Sequence, residues 1–273
     1  MMSNLVYAGA TSHVGAILRN PDALPERSGK LHRAWDQMAA ELRDADLDAV
    51  IIVATDHYET FRLEHYPAFC LGLAEEYEGW GEFGNPGGRV AGAAGPAAEL
   101  LAGLTRRGFD VSRSHEMRLD HSFMVPLVRL GLTDTPVIPL FVNCNTPPLP
   151  TLRRCYELGT ALGEVVRSMP GGERLAVIGT GGVSHWVGLP RFGDVNIDWD
   201  YRFLALMAEG RLEEIFCWTD EQILEEAGNG ALEIRTWLVA HAASGGKSGT
   251  VLGYQPMPPW AIGIGIMRME IPA

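Results

Sequence analysis

Residues 49–57 read AVIIVATDH. Six consecutive apolar side chains from Ala49 to Ala54, four of them β-branched, suit a strand buried on both faces, as central parallel strands are. Working outward, similar runs stand at Leu5–Gly9, Val137–Val142, Leu175–Gly179 and Trp260–Met267. Between them the Ala/Leu/Glu/Arg spacing predicts helices over Lys30–Ala45, Gly95–Arg107, Leu152–Ser168, Asp198–Glu209, Glu213–Trp218, Thr219–Ala227 and Ala231–Ala243. This alternation predicts an α/β fold, a single domain over residues 1–273 with a central mixed β-sheet flanked by helices. The Gly/Pro-rich stretch Tyr77–Gly95 shows no periodicity and reads as a functional loop inside that domain.

Composition narrows the function. With 273 residues, 47% hydrophobic and 21% charged, the chain is neither disordered, collagenous nor a coiled coil, and it is long enough to bury a core without staples. Acidic residues outnumber basic ones 34 to 22 and no Lys/Arg run offsets the net charge of −12, so nucleic acid is not an expected partner. The longest apolar runs, Leu47–Thr55 and Ala261–Met267, fall short of the roughly 20 residues that cross a bilayer, so no membrane partner is expected either. The opening MMSNLVYAGATSH has no basic flank or long apolar core and is not read as a signal peptide. Cys70, Cys144, Cys155 and Cys217 form no CxxC pair and read as thiols of a reducing, cytoplasmic compartment.

The histidines carry the chemical signal. His13 closes the first strand in GATSHVG, His57 follows VIIVAT, His185 follows LAVIGT in GTGGVSHW, and His121 stands in RLDHSFMVPL ahead of an apolar segment. Strand ends are where open α/β sheets place ligands. A single histidine there is more often a capping or core residue, but four in equivalent positions point to metal binding or proton transfer. Two imidazoles and one carboxylate form a facial triad that leaves positions on Fe(II) open. Spacing alone does not choose that carboxylate among 34 acids. The glycines of GTGGVSH lack the ending of a P-loop and the spacing of a dinucleotide fingerprint, and no GxSxG elbow marks a serine hydrolase.

At these residues the chain resembles the class III extradiol ring-cleaving dioxygenases, the superfamily of the protocatechuate 4,5-dioxygenase catalytic subunit. The resemblance runs in order through SHVG, TDHYETF, LDHSFMVPL, VIPLFVNCNTPPLPTLRRCYELG, VIGTGGVSHW, VNIDWDYRFL, AGNGALEIRTWL and YQPMPPWAIGIGIM. It implies Fe(II) as cofactor, with His13, His57 and Glu233 as metal ligands. It implies His185 as the acid/base and His121 as a second active-site histidine. The implied reaction is O2-dependent cleavage of a catecholic ring beside its hydroxyls to a semialdehyde-type product. Asp56 and Asp120 would orient rings, and Trp186, Tyr58 and Phe61 would pack on the substrate. Arg19, Arg191 and Ser184 stay open as partners of a ring carboxylate. The alternatives on this scaffold are a Memo-like binding protein and a zinc enzyme. A homo-oligomer is expected. Cover for the site would come from a small helical partner subunit or from Tyr77–Gly95.

Overall fold

The structure, a computed structural model, describes residues 4–272; Met1–Ser3 and Ala273, at the ends of the expected 1–273 domain, lie outside them. Four apolar runs form the parallel heart of an eight-stranded sheet: β1 (Leu5–Thr11), β9 (Leu175–Thr180), β2 (Ala49–Ala54) and β8 (Val137–Val142). Beside β1 lie two antiparallel strands, β11 (Ile262–Met269) and β10 (Gly249–Met257). Beyond β8 lie β3 (Phe69–Gly72), antiparallel to it, and β6 (Ser112–Ser114). The order is β10-β11-β1-β9-β2-β8-β3-β6.

Every residue of β2, β8 and β9 is buried, because helices cover both faces. Side chains alternate across the sheet. Val50, Ile52 and Ala54 pack towards α2 (Pro25–Asp44), whose stripe Leu31, Ala34, Trp35, Met38 and Leu42 has helical spacing. Ala49, Ile51 and Val53 face the opposite layer of α3 (Ala94–Arg106), α5 (Leu152–Ser168) and α9 (Ile234–Ser244). Burying each such Val or Ile contributes about 1.5–3 kcal/mol. A third cluster packs α6 (Ile197–Glu209), α7 (Leu212–Phe216) and α8 (Asp220–Ala227) against Trp237, Leu238, Ala8 and Ala10.

Several expectations are corrected. Tyr77–Gly95 is no structureless loop: β4 (Glu76–Gly79) and β5 (Gly88–Ala91) pair within it and add β7 (Arg118–Leu119) to make a second, three-stranded sheet. These strands are four residues or fewer, so their period is too short to read. Strands β3, β6 and β10 and the helices α1 (Ala16–Arg19) and α4 (His121–Arg129) were not anticipated, and β10 lacks alternation because much of it is half exposed. Helix α2 begins at Pro25 rather than Lys30, since proline's fixed φ suits a first turn. The expected helix Ala231–Ala243 is divided, with a 3-10 turn Asn229–Glu233 leading into α9. Among the described residues no helix is long and apolar enough to cross a membrane.

The strands β1, β2 and β9 run in parallel, so their C-terminal ends share one edge of the sheet. The residues that follow them, His13, His57 and the segment from Gly181 to His185, therefore converge there.

Candidate active site

His13 and His57 meet edge to face, ring centroids 5.5 Å apart and planes at 88°. Each has its Nδ1 committed. Thr180 Oγ1 donates to Ser122 O (2.9 Å), so its lone pairs remain to accept from His13 Nδ1 at 3.2 Å. Asp120 Oδ2 lies 2.9 Å from His57 Nδ1, and a carboxylate can only accept. Both imidazoles therefore commit Nδ1–H to an acceptor and turn Nε2 into the site. That of His13 is buried and has no hydrogen-bond partner.

Glu233 closes the arrangement. Its Oε1 lies 3.3 Å from His57 Nε2 and 3.7 Å from His13 Nε2, while Oε2 accepts from Gly182 N–H at 2.8 Å. It is fully buried at the junction of the 3-10 turn and α9, not an exposed helix glutamate. The glycine pair after β9 makes room for it: Gly181 has φ +139°, and a Cβ there would fall 2.5 Å from the Glu233 Cβ. Those glycines accommodate a carboxylate rather than cradle a phosphate.

His121 opens α4 and stacks on His57, centroids 4.1 Å apart and planes at 28°. One nitrogen from each of His13, His57 and His121 falls within 4.8 Å of the others. Nδ1 of His121 contacts the buried carboxylate of Glu82, a residue that sequence reasoning missed because it lies in the stretch taken for a loop. His185 is buried, its Nε2 without a hydrogen-bond partner, and its ring rests on Gly230, where a Cβ would come within 1.5 Å of Nε2.

Charge follows burial and neighbours. Burial pushes His13 down to about 3 and His185 down to about 4, although Glu233 pulls each the other way. Burial opposes ionisation of Glu233, yet the His13, His57 and His185 rings bring it down to about 2. Burial likewise disfavours charge on His57 and Asp120, but the two attract each other strongly. Asp120 falls far below the carboxylate range and His57 rises well above its ordinary value, helped by Glu233. Without a metal, ionised Glu233 and Asp120 thus flank neutral His13 and a His57 whose positive charge they share, and His57 must give up its Nε2 proton to ligate a cation.

The remaining expected residues divide. Asp120 orients a ring, but that of His57 and not of its neighbour His121. Asp56 instead accepts from Thr60 and Phe61 N–H, holding the turn after β2. Phe61 packs on Phe141 at 4.5 Å in the core, and Trp186 is buried beneath the Arg191 guanidinium at 4.0 Å. Tyr58 is 47% exposed next to His57, with φ +65°. Ser184 Oγ accepts from Asn196 N–H, and Arg191 pairs with Asp194. Arg19 is exposed, two turns of chain past His13, and its Nε donates to Gly15 O.

Known proteins resemble this chain along most of its length. The family described as the catalytic LigB subunit of aromatic ring-opening dioxygenase matches residues 7–265. A 2,3-dihydroxyphenylpropionate/2,3-dihydroxicinnamic acid 1,2-dioxygenase of Paraburkholderia xenovorans is 31% identical over 90% of this chain and 92% of its own length. One of Burkholderia vietnamiensis is 32% identical over 84% and 87%. The crystal structure of an uncharacterized protein from Escherichia coli K12 superposes with a TM-score of 0.56 at 16% identity, over 87% of this chain and 91% of that one, a likeness of fold. With the match spanning nearly the whole chain, this protein belongs to the LigB family of aromatic ring-opening dioxygenases and is an extradiol ring-cleaving enzyme.

Proposed function

We propose that the chain is an Fe(II)-dependent dioxygenase that cleaves a catechol bearing a short acidic side chain, of the 2,3-dihydroxyphenylpropionate type, and that its metal ligands are His13, His57 and Glu233. The observation that carries this reading is the convergence of two Nε2 atoms and one buried carboxylate oxygen at the strand ends. His13 and His57 stand at 88°, so their in-plane lone pairs can meet at a point. His121 lies nearly parallel to His57, which directs its lone pair alongside rather than towards that point, and this supports a role on the substrate side. The residues fit a divalent cation: His13 Nε2 is buried and unpartnered, and Glu233 is ionised in a position that a cation would neutralise.

When bound, Fe(II) supplies a redox-active Lewis acid with coordination positions open to catecholate and O2. The protein's own groups do the rest. A catechol must lose a hydroxyl proton to chelate, and His185, neutral and with Nε2 unpartnered, takes it as general base. The same nitrogen returns the proton as the ring opens. His121, stacked on His57, hydrogen-bonds the reacting oxygens. Both atoms of O2 enter the product, so no external reductant is needed. In this reading residues 1–273 act as one cytoplasmic catalytic domain with no nucleic acid or membrane partner. Exposed Val187, Leu189, Phe192 and Tyr201 near His185 support a homo-oligomer or a covering partner subunit, which sedimentation measures.

The test is O2 consumption after anaerobic loading with Fe(II), over dihydroxyphenylpropionate, catechol, protocatechuate, gallate and 2-aminophenol, with Zn(II) and metal-free controls. Uptake and a new visible absorbance with dihydroxyphenylpropionate and Fe(II) alone are expected. Equal product formation with Zn(II) in the absence of O2 would overturn the reading.

A further inference from the structure

Glu82 stands in the 3-10 turn Glu82–Gly84, its side chain 3% exposed, and its carboxylate lies in ion-pair contact with His121 Nδ1. A carboxylate so buried is costly unless a positive or hydrogen-bonding partner meets it. Among the described residues no regular hydrogen bond reaches His121 Nδ1, and the Glu82 carboxylate is the acidic group in contact with it. Asp120, one residue from His121, has no oxygen left to serve it, since Oδ2 is taken by His57 and Oδ1 by Ser122.

The second sheet sets this contact. Glu78 pairs with Arg118 and Gly79 with Leu119, and Trp80 N–H donates to Leu119 O at 2.7 Å. Arg118 clamps the pairing through Glu78 at 2.8 Å and through Glu59. The chain leaving β4 is thereby fixed against the chain leaving β7, and three residues past Gly79 and two past Leu119 the side chains of Glu82 and His121 meet. His13 and His57 have hydrogen-bond partners at Nδ1, Thr180 and Asp120, and the acidic group placed against Nδ1 of His121 is Glu82, in ion-pair contact.

We infer that Glu82 is a positioning residue for His121: by accepting at Nδ1 it selects the tautomer with a bare Nε2 and keeps the ring stacked on His57, so that Nε2 is the atom offered to the substrate. The inference rests on the active-site role of His121 proposed above. It also gives the segment Tyr77–Gly95 a function in catalysis that a mere cover would not have.

A double-mutant cycle on the Fe(II)-loaded enzyme tests it, together with 15N NMR of histidine-labelled, Zn(II)-loaded protein. Glu82→Ala should lower kcat roughly 10- to 100-fold, as loss of such a partner does at other sites, with KM within about threefold and metal content unchanged. Added to His121→Phe, the same change should have no further effect on kcat. The His121 Nδ1 resonance should leave its protonated position in Glu82→Ala, and Glu82→Gln, whose amide oxygen still accepts, should recover most turnover. If Glu82→Ala does not fold, Glu82→Leu fills the volume without an acceptor and is read in its place. Equal losses on the native and His121→Phe backgrounds, or an unchanged His121 spectrum, would overturn the inference. Native turnover in His121→Phe overturns the role of His121 itself, and the spectrum then decides the Glu82 contact separately.

Discussion

His57 and Asp120, 63 residues apart in sequence, are joined twice: Asp120 Oδ2 accepts from the His57 backbone N–H at 2.8 Å and from its ring Nδ1–H at 2.9 Å. The other oxygen, Oδ1, caps α4 through Ser122 N–H at 2.9 Å. One carboxylate thus fixes both the ring that offers Nε2 to the metal and the helix that starts with His121, and the helix N-terminus stabilises its negative charge.

Asp120→Asn should therefore act on the metal before it acts on the fold. The neutral amide can turn its NH2 towards Nδ1 and favour the wrong tautomer of His57. Fe(II) affinity should fall about 10- to 100-fold while the circular dichroism spectrum stays native. Native affinity in this variant would remove Asp120 from its orienting role.

His185 and Gly230 make a second pair. A methyl group at position 230 would occupy the place of the His185 ring edge, 1.5 Å from both Nε2 and Cδ2. Gly230→Ala should displace the ring and reproduce His185→Phe: metal retained, turnover lowered by roughly 10²-fold or more, as for loss of a general acid/base. Loss of metal in His185→Phe would instead place His185 in the ligand set.

Glu233→Ala should reduce metal occupancy at equimolar Fe(II) to a minor fraction, measured by elemental analysis after gel filtration. His121→Phe should leave occupancy near native. The reverse pattern would make the three imidazoles the binding set and Glu233 a neighbour.

Stability of the metal-free protein should fall on acidification from pH 6.5. His13 and His185 fold as neutral rings, lowered by burial to about 3 and about 4, whereas the unfolded chain binds their protons from its ordinary value of 6.5 downward. The unfolded state then holds more protons, so ΔG of unfolding drops as pH falls through this window, by about 1.4 kcal/mol per pH unit for each proton. Glu233, lowered to about 2, adds to the loss below its ordinary 4.5. His57 is raised, so its contribution is complete below 6.5 and is lost on the alkaline side. Asp56 and Asp200, raised by burial to about 6, gain stability over part of the same range and make the decline shallower. Urea midpoints of chelated protein at pH 7, 5.5 and 4.5 should therefore decline less in His185→Asn, neutral at every pH, than in the native protein. Parallel slopes for the two proteins would contradict the assignment.

The central strands were legible because β2, β8 and β9 are buried on both faces, and an unbroken apolar run has no other use in a soluble-type composition. The strand-end histidines were legible for the same reason, since a parallel sheet brings its C-terminal ends together whatever the intervening sequence. Glu233 was reached only through family resemblance: it ends a 3-10 turn of five residues, too short to carry a periodic signature. Glu82 and Thr180 escaped altogether. One lies beyond strands too short to carry a period, and the other is a threonine at the end of an apolar strand, indistinguishable by composition from a core residue. Partners of this kind are set by long-range register, such as Glu78 against Arg118, which no local pattern records.

The central claim is that this site inserts O2 beside a catechol's hydroxyl pair. Mass spectrometry of the product formed from 2,3-dihydroxyphenylpropionate by the Fe(II)-loaded enzyme under 18O2, quenched within seconds, tests it most directly. A ring-opened product carrying both atoms of one O2 molecule is expected, and none from the Glu233→Ala variant. Product free of 18O, or an intact ring after iron has bound, would contradict it.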